Sequence, residues 1–241
     1  MQNLKIALIG YGKMGKEIEQ IALRRGHEVI LTIDKDNPED LTSLAIKKAD
    51  VAIEFTNPFA AIGNITQCVE NSIPVVCGTT GWLDHLGEVK ELVARNNGTL
   101  FYSSNFSLGV NIFFKINQQL ASIMAKFSDY NVEIEEWHHN QKLDSPSGTA
   151  ITLAERILES YPQKEGWVNQ SVNDSDKLGI VSIRKGNIPG IHTVTYESNV
   201  DTITLTHDAK DRRGFALGAV LAAEFIAKKK GVYTMDDLLS I

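Results

Sequence analysis

The sequence is poor in the features that mark several protein classes. Its only cysteines are Cys68 and Cys77, with neither a CxxC pair nor a partner motif. That excludes a disulfide scaffold and a cysteine-based zinc site, and it leaves the two as reduced, buried thiols. No apolar run is long enough to span a bilayer, and Met1-Gln2-Asn3-Leu4-Lys5 leads into a short strand-like run without a signal-peptide core. A soluble cytoplasmic protein with no membrane partner is expected. Basic residues do not dominate: 24 Lys and Arg face 30 Asp and Glu, for a formal net charge of -6. Nucleic acid is not expected as the main partner, because phosphate binding needs a basic field. Repeats, low-complexity tracts and polar linkers are also missing.

What is present is ordinary globular composition, 43% hydrophobic and 22% charged over 241 residues, enough for one large or two small domains. Leu4 to Ile9 is an apolar run broken only by Lys5, and Gly10-Tyr11-Gly12-Lys13-Met14-Gly15 follows, then a helical pattern to Arg25. This is a strand, a GxGxxG turn and a helix. The first glycine allows the turn, the second lets backbone approach a pyrophosphate, and the third lets helix and strand pack closely. Glu28 to Ile33 reads as a second strand, and Asp34 closes it about 20 residues beyond the last glycine, where an acid can bond the adenosine ribose. Lys13 and Lys35 offer positive charge for a ribose 2′-phosphate, so the choice between NADH and NADPH stays open.

Further strands are expected at 50–55, 73–77 and 99–103, with helices at 59–71 and 83–96, which makes a doubly wound parallel sheet of Rossmann type. Gly78, Thr79 and Thr80 follow the fourth strand at the carboxyl edge, where open α/β sheets place ligands. After the fifth come Ser103, Asn105 and Phe106, whose loop is expected to frame a nicotinamide. A helix over 111–126 leads into a region of different character, with strands at 178–184, 190–198 and 201–206 and a hairpin turn at 198–201. A helix over 213–230 is expected to return to the first domain.

The densest chemistry lies between 133 and 150. Residues 130–137 alternate in polarity as a strand with one covered face, and Ser147 to Glu159 reads as a helix behind Ser-Pro-Ser-Gly. A strand end therefore delivers His138, His139 and Lys142 beside a helix start, where amides and the dipole favour an anion. Lys142 adds a point charge, the hydroxyls of Ser147 and Thr149 add directional bonds, and Gly148 allows close approach. A histidine titrating near neutrality can move a proton. Zinc needs three or four ligands and no further Cys or His lies at a ligand spacing, so no metal is expected.

The run His138-His139-Asn140-Gln141-Lys142-Leu143-Asp144-Ser145-Pro146-Ser147-Gly148-Thr149-Ala150 closely resembles the signature of the 4-hydroxy-tetrahydrodipicolinate reductase family, also called dihydrodipicolinate reductase. The resemblance extends to the glycine loop, Gly78-Thr79-Thr80-Gly81, Ser104 to Ser107, Arg184 to His192 and Leu205-Thr206-His207. It implies a dinucleotide-binding domain at 1–107 and 212–241. It also implies an α+β domain at 108–211 that binds substrate and whose mixed sheet builds a homotetramer. The implied substrate is a cyclic imine dicarboxylate of the lysine and diaminopimelate pathway, with hydride delivered to ring C4 and a proton to C3. His138 matches the family's general acid and Lys142 its partner in catalysis and binding, while His139, Ser147, Gly148 and Thr149 match substrate contacts.

The chain departs from the pattern in places. It is short between the second and third strands, Lys35 stands where many members have arginine, and Ser103-Ser104 replaces a commonly Ala- or Pro-containing pair. Lysine cannot clamp a phosphate bidentately, so the choice between the two cofactors stays open. Two other readings compete: a different NAD(P)-dependent dehydrogenase acting on an amino acid or aldehyde, and a non-catalytic nucleotide sensor.

Overall fold

A computed structural model describes residues 3–172, 176–211 and 213–240. The chain divides into two compact units, residues 1–108 with 213–241, and residues 109–212. The first unit opens with β1 (Lys5–Ile9), α1 (Lys13–Arg24), β2 (Glu28–Ile33), β3 (Val51–Glu54), α2 (Pro58–Glu70), β4 (Val75–Cys77), α3 (Leu86–Arg95) and β5 (Thr99–Tyr102). Helix α4 (Leu108–Met124) leads into β6 (Asn131–His138), α5 (Gly148–Leu158), β7 (Trp167–Val168), β8 (Leu178–Arg184), β9 (Ile191–Glu197) and β10 (Thr202–Asp208). The chain then returns through α6 (Arg213–Ile226), β11 (Gly231–Tyr233) and α7 (Met235–Leu239).

The first sheet has the order β11-β5-β4-β3-β1-β2, with every pair parallel. Its strands read as continuous apolar runs because both faces are covered. In β1, Ile6 and Leu8 pack with Ile18 of α1 and Ala219 and Val220 of α6, while Ala7 and Ile9 pack on the opposite face with Ile65 of α2 and Val89 and Val93 of α3. Pro58 begins α2, where a missing N–H costs nothing, and the Asn57 side chain accepts from the Phe59 and Ala60 amides. Cys68 and Cys77 are buried and free.

Two expected features take a different form. The helix expected over 83–96 begins as a 3-10 turn at Leu83–His85, and the α-helix starts only at Leu86. Just before it, Trp82 is buried, and its indole N–H donates to the Thr79 carbonyl at 2.8 Å. The last long helix stops at Ile226, and β11 pairs with β5. Strands β7 and β11 are too short to show a periodicity.

The second sheet has the order β10-β9-β6-β8-β7 and is mixed: β8 is parallel to β6 and β7, and β9 is antiparallel to β6 and β10. Strand β6 alternates as its sequence does. Val132, Ile134, Glu136 and His138 are buried, and Glu133, Glu135 and Trp137 are half-buried on the other face. The covered face packs on Phe113, Phe114 and Met124 of α4 and on Leu153 and Ile157 of α5. The hairpin turn forms at 198–201, where the Ser198 amide donates to the Asp201 carbonyl at 3.0 Å.

Candidate active site

In the first unit the glycine loop sits at the carboxyl end of β1. Gly10 has φ +93, and a Cβ there would lie 2.0 Å from the Phe55 carbonyl oxygen. A Cβ at Gly15 would lie 2.3 Å from the Gly10 carbonyl oxygen, so the start of α1 can approach β1 only with glycine there. Gly12 is different: it is exposed, and a Cβ there would meet nothing within 4 Å. The protein's own packing does not require that glycine. Gly12 also caps α1 without a side-chain hydrogen bond, and no acid lies in the first turn, an arrangement that can accept an anion.

A cleft of about 490 Å³ opens here, lined by Gly12, Lys13, Met14 and Gly15, by Gly78, Thr79 and Thr80, and by Phe55, Thr56 and Pro58. The last three were missed in the sequence. Their signal was their place just beyond β3, at the same edge as the two glycine-bearing loops. The Thr56 amide donates to Thr79 Oγ1 at 2.8 Å, which ties two walls of the cleft together. Asp34 and Lys35 follow β2 and are exposed, and neither is among the residues that line the cleft.

Ser103 and Asn105 form a self-bonded turn, with Ser103 Oγ donating to the Asn105 carbonyl at 2.8 Å and Asn105 Oδ1 accepting from the Ser107 amide at 2.9 Å. The expectation that Phe106 frames a ligand needs correction. Its side chain is buried, with ring centroids 5.6 Å from Phe55 and 5.7 Å from Phe101, and Gly218 of α6 backs onto its carbonyl. An apolar ring in a loop gains more from the core than from an open cleft.

In the second unit β6 carries Glu136 and His138 on its covered face. Antiparallel β9 places His192 opposite Glu136, and parallel β8 places Arg184 opposite His138. Glu136 has no solvent exposure. Its Oε1 accepts from Arg184 Nη2 at 2.9 Å and from the Ser147 amide at 3.0 Å. Its Oε2 lies 2.5 Å from His138 Nδ1, off the line of a well-aligned hydrogen bond. Burial pushes this carboxyl upward, but the bonds from His138, Arg184 and Ser147 outweigh it and hold the group well below the usual carboxylate range.

His192 is buried beside them. Its ring centroid is 5.1 Å from that of His138, and its Nε2 is 3.0 Å from Ser147 Oγ. Burial, with the charge of His138 next, lowers its pKa to about 3, so it is neutral. Lys142 Nζ lies 2.8 Å from Asp144 Oδ2, and this contact holds the Asp144 carboxyl below its ordinary value. His139 is half-buried, and its Nδ1 has no partner among the described residues.

Helix α5 starts with Ser147 as its N-cap, and the outcome differs from the expectation for that residue. Ser147 is buried, its hydroxyl accepts from the Ala150 amide at 3.2 Å and contacts His192, and its own amide is taken by Glu136. Both of its polar groups are engaged within the fold. Gly148 is exposed with open space above it and Thr149 is half-exposed, so these two carry the open part of the helix start.

The tertiary structure also supplies what the local spacing lacked, a second buried histidine from a distant strand. The ligand atoms of Glu136, His138 and His192 all lie within 4.8 Å of one another. Two atoms bound to one tetrahedral zinc at about 2.1 Å stand about 3.4 Å apart. The 2.5 Å between Glu136 Oε2 and His138 Nδ1 is shorter than that spacing and is a direct ion-pair contact.

A glycine-loop parallel sheet joined to a unit carrying a lysine, an open helix start and a carboxylate-backed imidazole defines a pyridine-nucleotide oxidoreductase of Rossmann type. Residues 4–106 match the family description "Dihydrodipicolinate reductase, N-terminus" and residues 109–239 match "Dihydrodipicolinate reductase, C-terminus". This chain belongs to the dihydrodipicolinate reductase family. It is 52% identical to the 4-hydroxy-tetrahydrodipicolinate reductase of Christiangramia forsetii over 98% of each chain. It is 37% identical to the enzyme of that name from Methanosarcina acetivorans, covering 98% of this chain and 89% of the relative. Among solved structures, the dipicolinate-bound dihydrodipicolinate reductase from Paenisporosarcina sp. TG-14 matches with a TM-score of 0.79 at 26% identity, over 97% of this chain and 98% of that one. Among the described residues no helix is long and apolar enough to cross a membrane.

Proposed function

We propose that this chain reduces 4-hydroxy-tetrahydrodipicolinate to tetrahydrodipicolinate, with loss of water, in lysine and diaminopimelate biosynthesis in the cytoplasm. The observation that carries the reading is the grouping of Lys142, the open start of α5 and the Glu136-backed His138 within one unit of a chain of this family. A ring dicarboxylate needs two anion sites. Lys142 with the amides at Gly148 and Thr149 supplies one, and His139 borders the other. Lys142 leaves Asp144 to take the substrate carboxylate and stabilises negative charge as the ring is reduced.

The residues around the cleft in the first unit fit NADH or NADPH. Gly12 and the uncapped start of α1 receive the pyrophosphate, Lys13, Met14 and Gly15 flank it, Asp34 and Lys35 meet the adenosine ribose, and Gly78, Thr79 and Thr80 with the turn of Ser103 and Asn105 lie along the nicotinamide. Once the C4 hydroxyl and a proton of the neighbouring carbon have left as water, a bound cofactor would supply a hydride to C4 of the conjugated ring. His138 then donates a proton to C3. Residues 1–108 and 213–241 thus act as the dinucleotide-binding domain and 109–212 as the substrate domain. The second sheet presents Thr193, Thr195, Thr204 and Thr206 on its uncovered face, and that face joins four copies. A native mass other than four chains refutes that assembly.

Thioester chemistry on an aldehyde does not fit, because it needs an accessible thiolate. Both cysteines are buried, and burial pushes the Cys68 thiol up to about 12 and the Cys77 thiol higher still. The test is oxidation of NADH or NADPH with the cyclic substrate. His138→Gln should lower kcat by about 10²-fold while leaving cofactor affinity in place. Full turnover in that variant overturns the proton-donor role.

A further inference from the structure

Glu136 is a carboxylate with no exposure to solvent in a unit built around His138. Removing such a group from water is costly unless it is paired and bonded, and a purely structural acid needs only enough partners to meet that cost. Oε1 alone has them: Arg184 Nη2 at 2.9 Å and the Ser147 amide at 3.0 Å. Oε2 has a different task, because its close contact is His138 Nδ1 at 2.5 Å and His192 Nε2 stands back at 3.9 Å. One oxygen anchors the carboxylate and the other is aimed at the imidazole.

The anchors are themselves fixed. Arg184 Nη2 also donates to the Asp144 carbonyl at 2.6 Å and Nη1 to the Ile183 carbonyl at 3.0 Å, while Ser147 caps α5. The carboxylate therefore cannot swing away from the ring. On the opposite edge of His138 a side chain is missing. A Cβ at Gly190 would stand 3.0 Å from Nε2 and 3.4 Å from Cδ2. The second imidazole does not compete, since His192 Nε2 lies against Ser147 Oγ and burial keeps the ring neutral.

We infer that Glu136 is a positioning residue for proton transfer: it holds the Nδ1 edge of His138 so that Nε2, beside the gap at Gly190, gives its proton to the substrate. The inference rests on the proposed reaction and names the group that orients its acid. In that step the Nε2–H bond breaks as a C3–H bond forms from the enamine electron pair. His138 is left as neutral imidazole with its proton on Nδ1, facing Glu136, and water returns a proton to Nε2 before the next turnover. Glu136 stays ionised throughout.

A double-mutant cycle tests this with Glu136→Gln, His138→Gln and the pair, assayed for kcat and KM with the cyclic substrate and for cofactor affinity by fluorescence titration. Glu136→Gln should lower kcat by about 10- to 100-fold at nearly constant KM when His138 is present, and by less than about threefold when it is absent. Cofactor affinity should not move. Glu136→Asp keeps the charge and shortens the reach of Oε2 to Nδ1, so it should show the same pattern with a smaller loss; it serves if the glutamine variant does not fold. Equal losses with and without His138, or unchanged kcat in the Glu136 variants, overturn the inference. Full activity in His138→Gln alone would instead remove the acid itself, and the proposed reaction step with it.

Discussion

The two units make their candidate sites from different materials. Around the cleft of the first, the decisive features are backbone and missing side chains: Gly10 and Gly15 permit close approaches, Gly12 opens space, and a Cβ at Gly78 would overlap the Phe55 ring. In the second, charged and titratable side chains from β6, β8 and β9 meet in the interior, with Glu136, His138 and His192 all buried. A surface of backbone amides is sensitive to an added carbon atom and indifferent to pH. A buried charge network responds to protons and to the loss of any one partner.

The largest effect should come from the glycines, which test the first half of that contrast. Gly10→Ala places a Cβ 2.0 Å from a backbone oxygen at φ +93 and should destabilise the protein by about 2–4 kcal/mol, seen as a lower thermal midpoint. Gly12→Ala meets no atom within 4 Å, so it should melt near wild type yet bind NADH several-fold more weakly in a fluorescence titration. Equal damage from the two would mean that Gly12 serves the fold and not a ligand.

Gly190→Ala carries the same idea into the second unit, where a missing side chain borders His138 Nε2 at 3.0 Å. Its kcat should fall about tenfold through displacement of the ring, with cofactor affinity unchanged. A wild-type rate would show that the ring gives way without cost.

The smallest effect, and the one that separates the units by chemistry, is pH dependence. Glu136 is held below its unfolded pKa of about 4.3, so its contribution to stability is complete above that pH and is lost as pH falls. His192 has a folded value of about 3. The unfolded chain binds a proton below about pH 6.5 that the folded chain refuses, so stability also declines from about 6.5 downward. Both shifts act in the same direction. The thermal midpoint should fall on acidification, and His192→Asn should flatten the slope between about pH 6.5 and 4.5. An unchanged slope would place its source elsewhere.

Much of this was legible in advance. The glycine loop, Pro58 at a helix start and the strict alternation of β6 each follow from residues close together in the chain. The burial of Glu136 was implied by that alternation, which set it with Val132 and Ile134. Its partners were not, because Arg184 and His192 lie far along the sequence and reach Glu136 only through strand pairing. Ser147 was half legible for a related reason: a serine before a helix reads as a cap or a ligand contact, and only its neighbours reveal that the fold uses both of its polar groups. Phe106 stood in a binding-site position by motif, and the surrounding rings claimed it.

By itself the sequence determined the local constructions: the strand, turn and helix that meet at the open Gly12, and the strand and helix start that bracket His138 and Lys142. Each depends on covalent spacing and backbone conformation, which short stretches encode. Only the tertiary structure decided which side chains meet Glu136. The order β9-β6-β8 and its register set His192 across from Glu136 and Arg184 across from His138, close enough for the guanidinium to reach Glu136, and a buried charge is defined by what neighbouring strands bring to it.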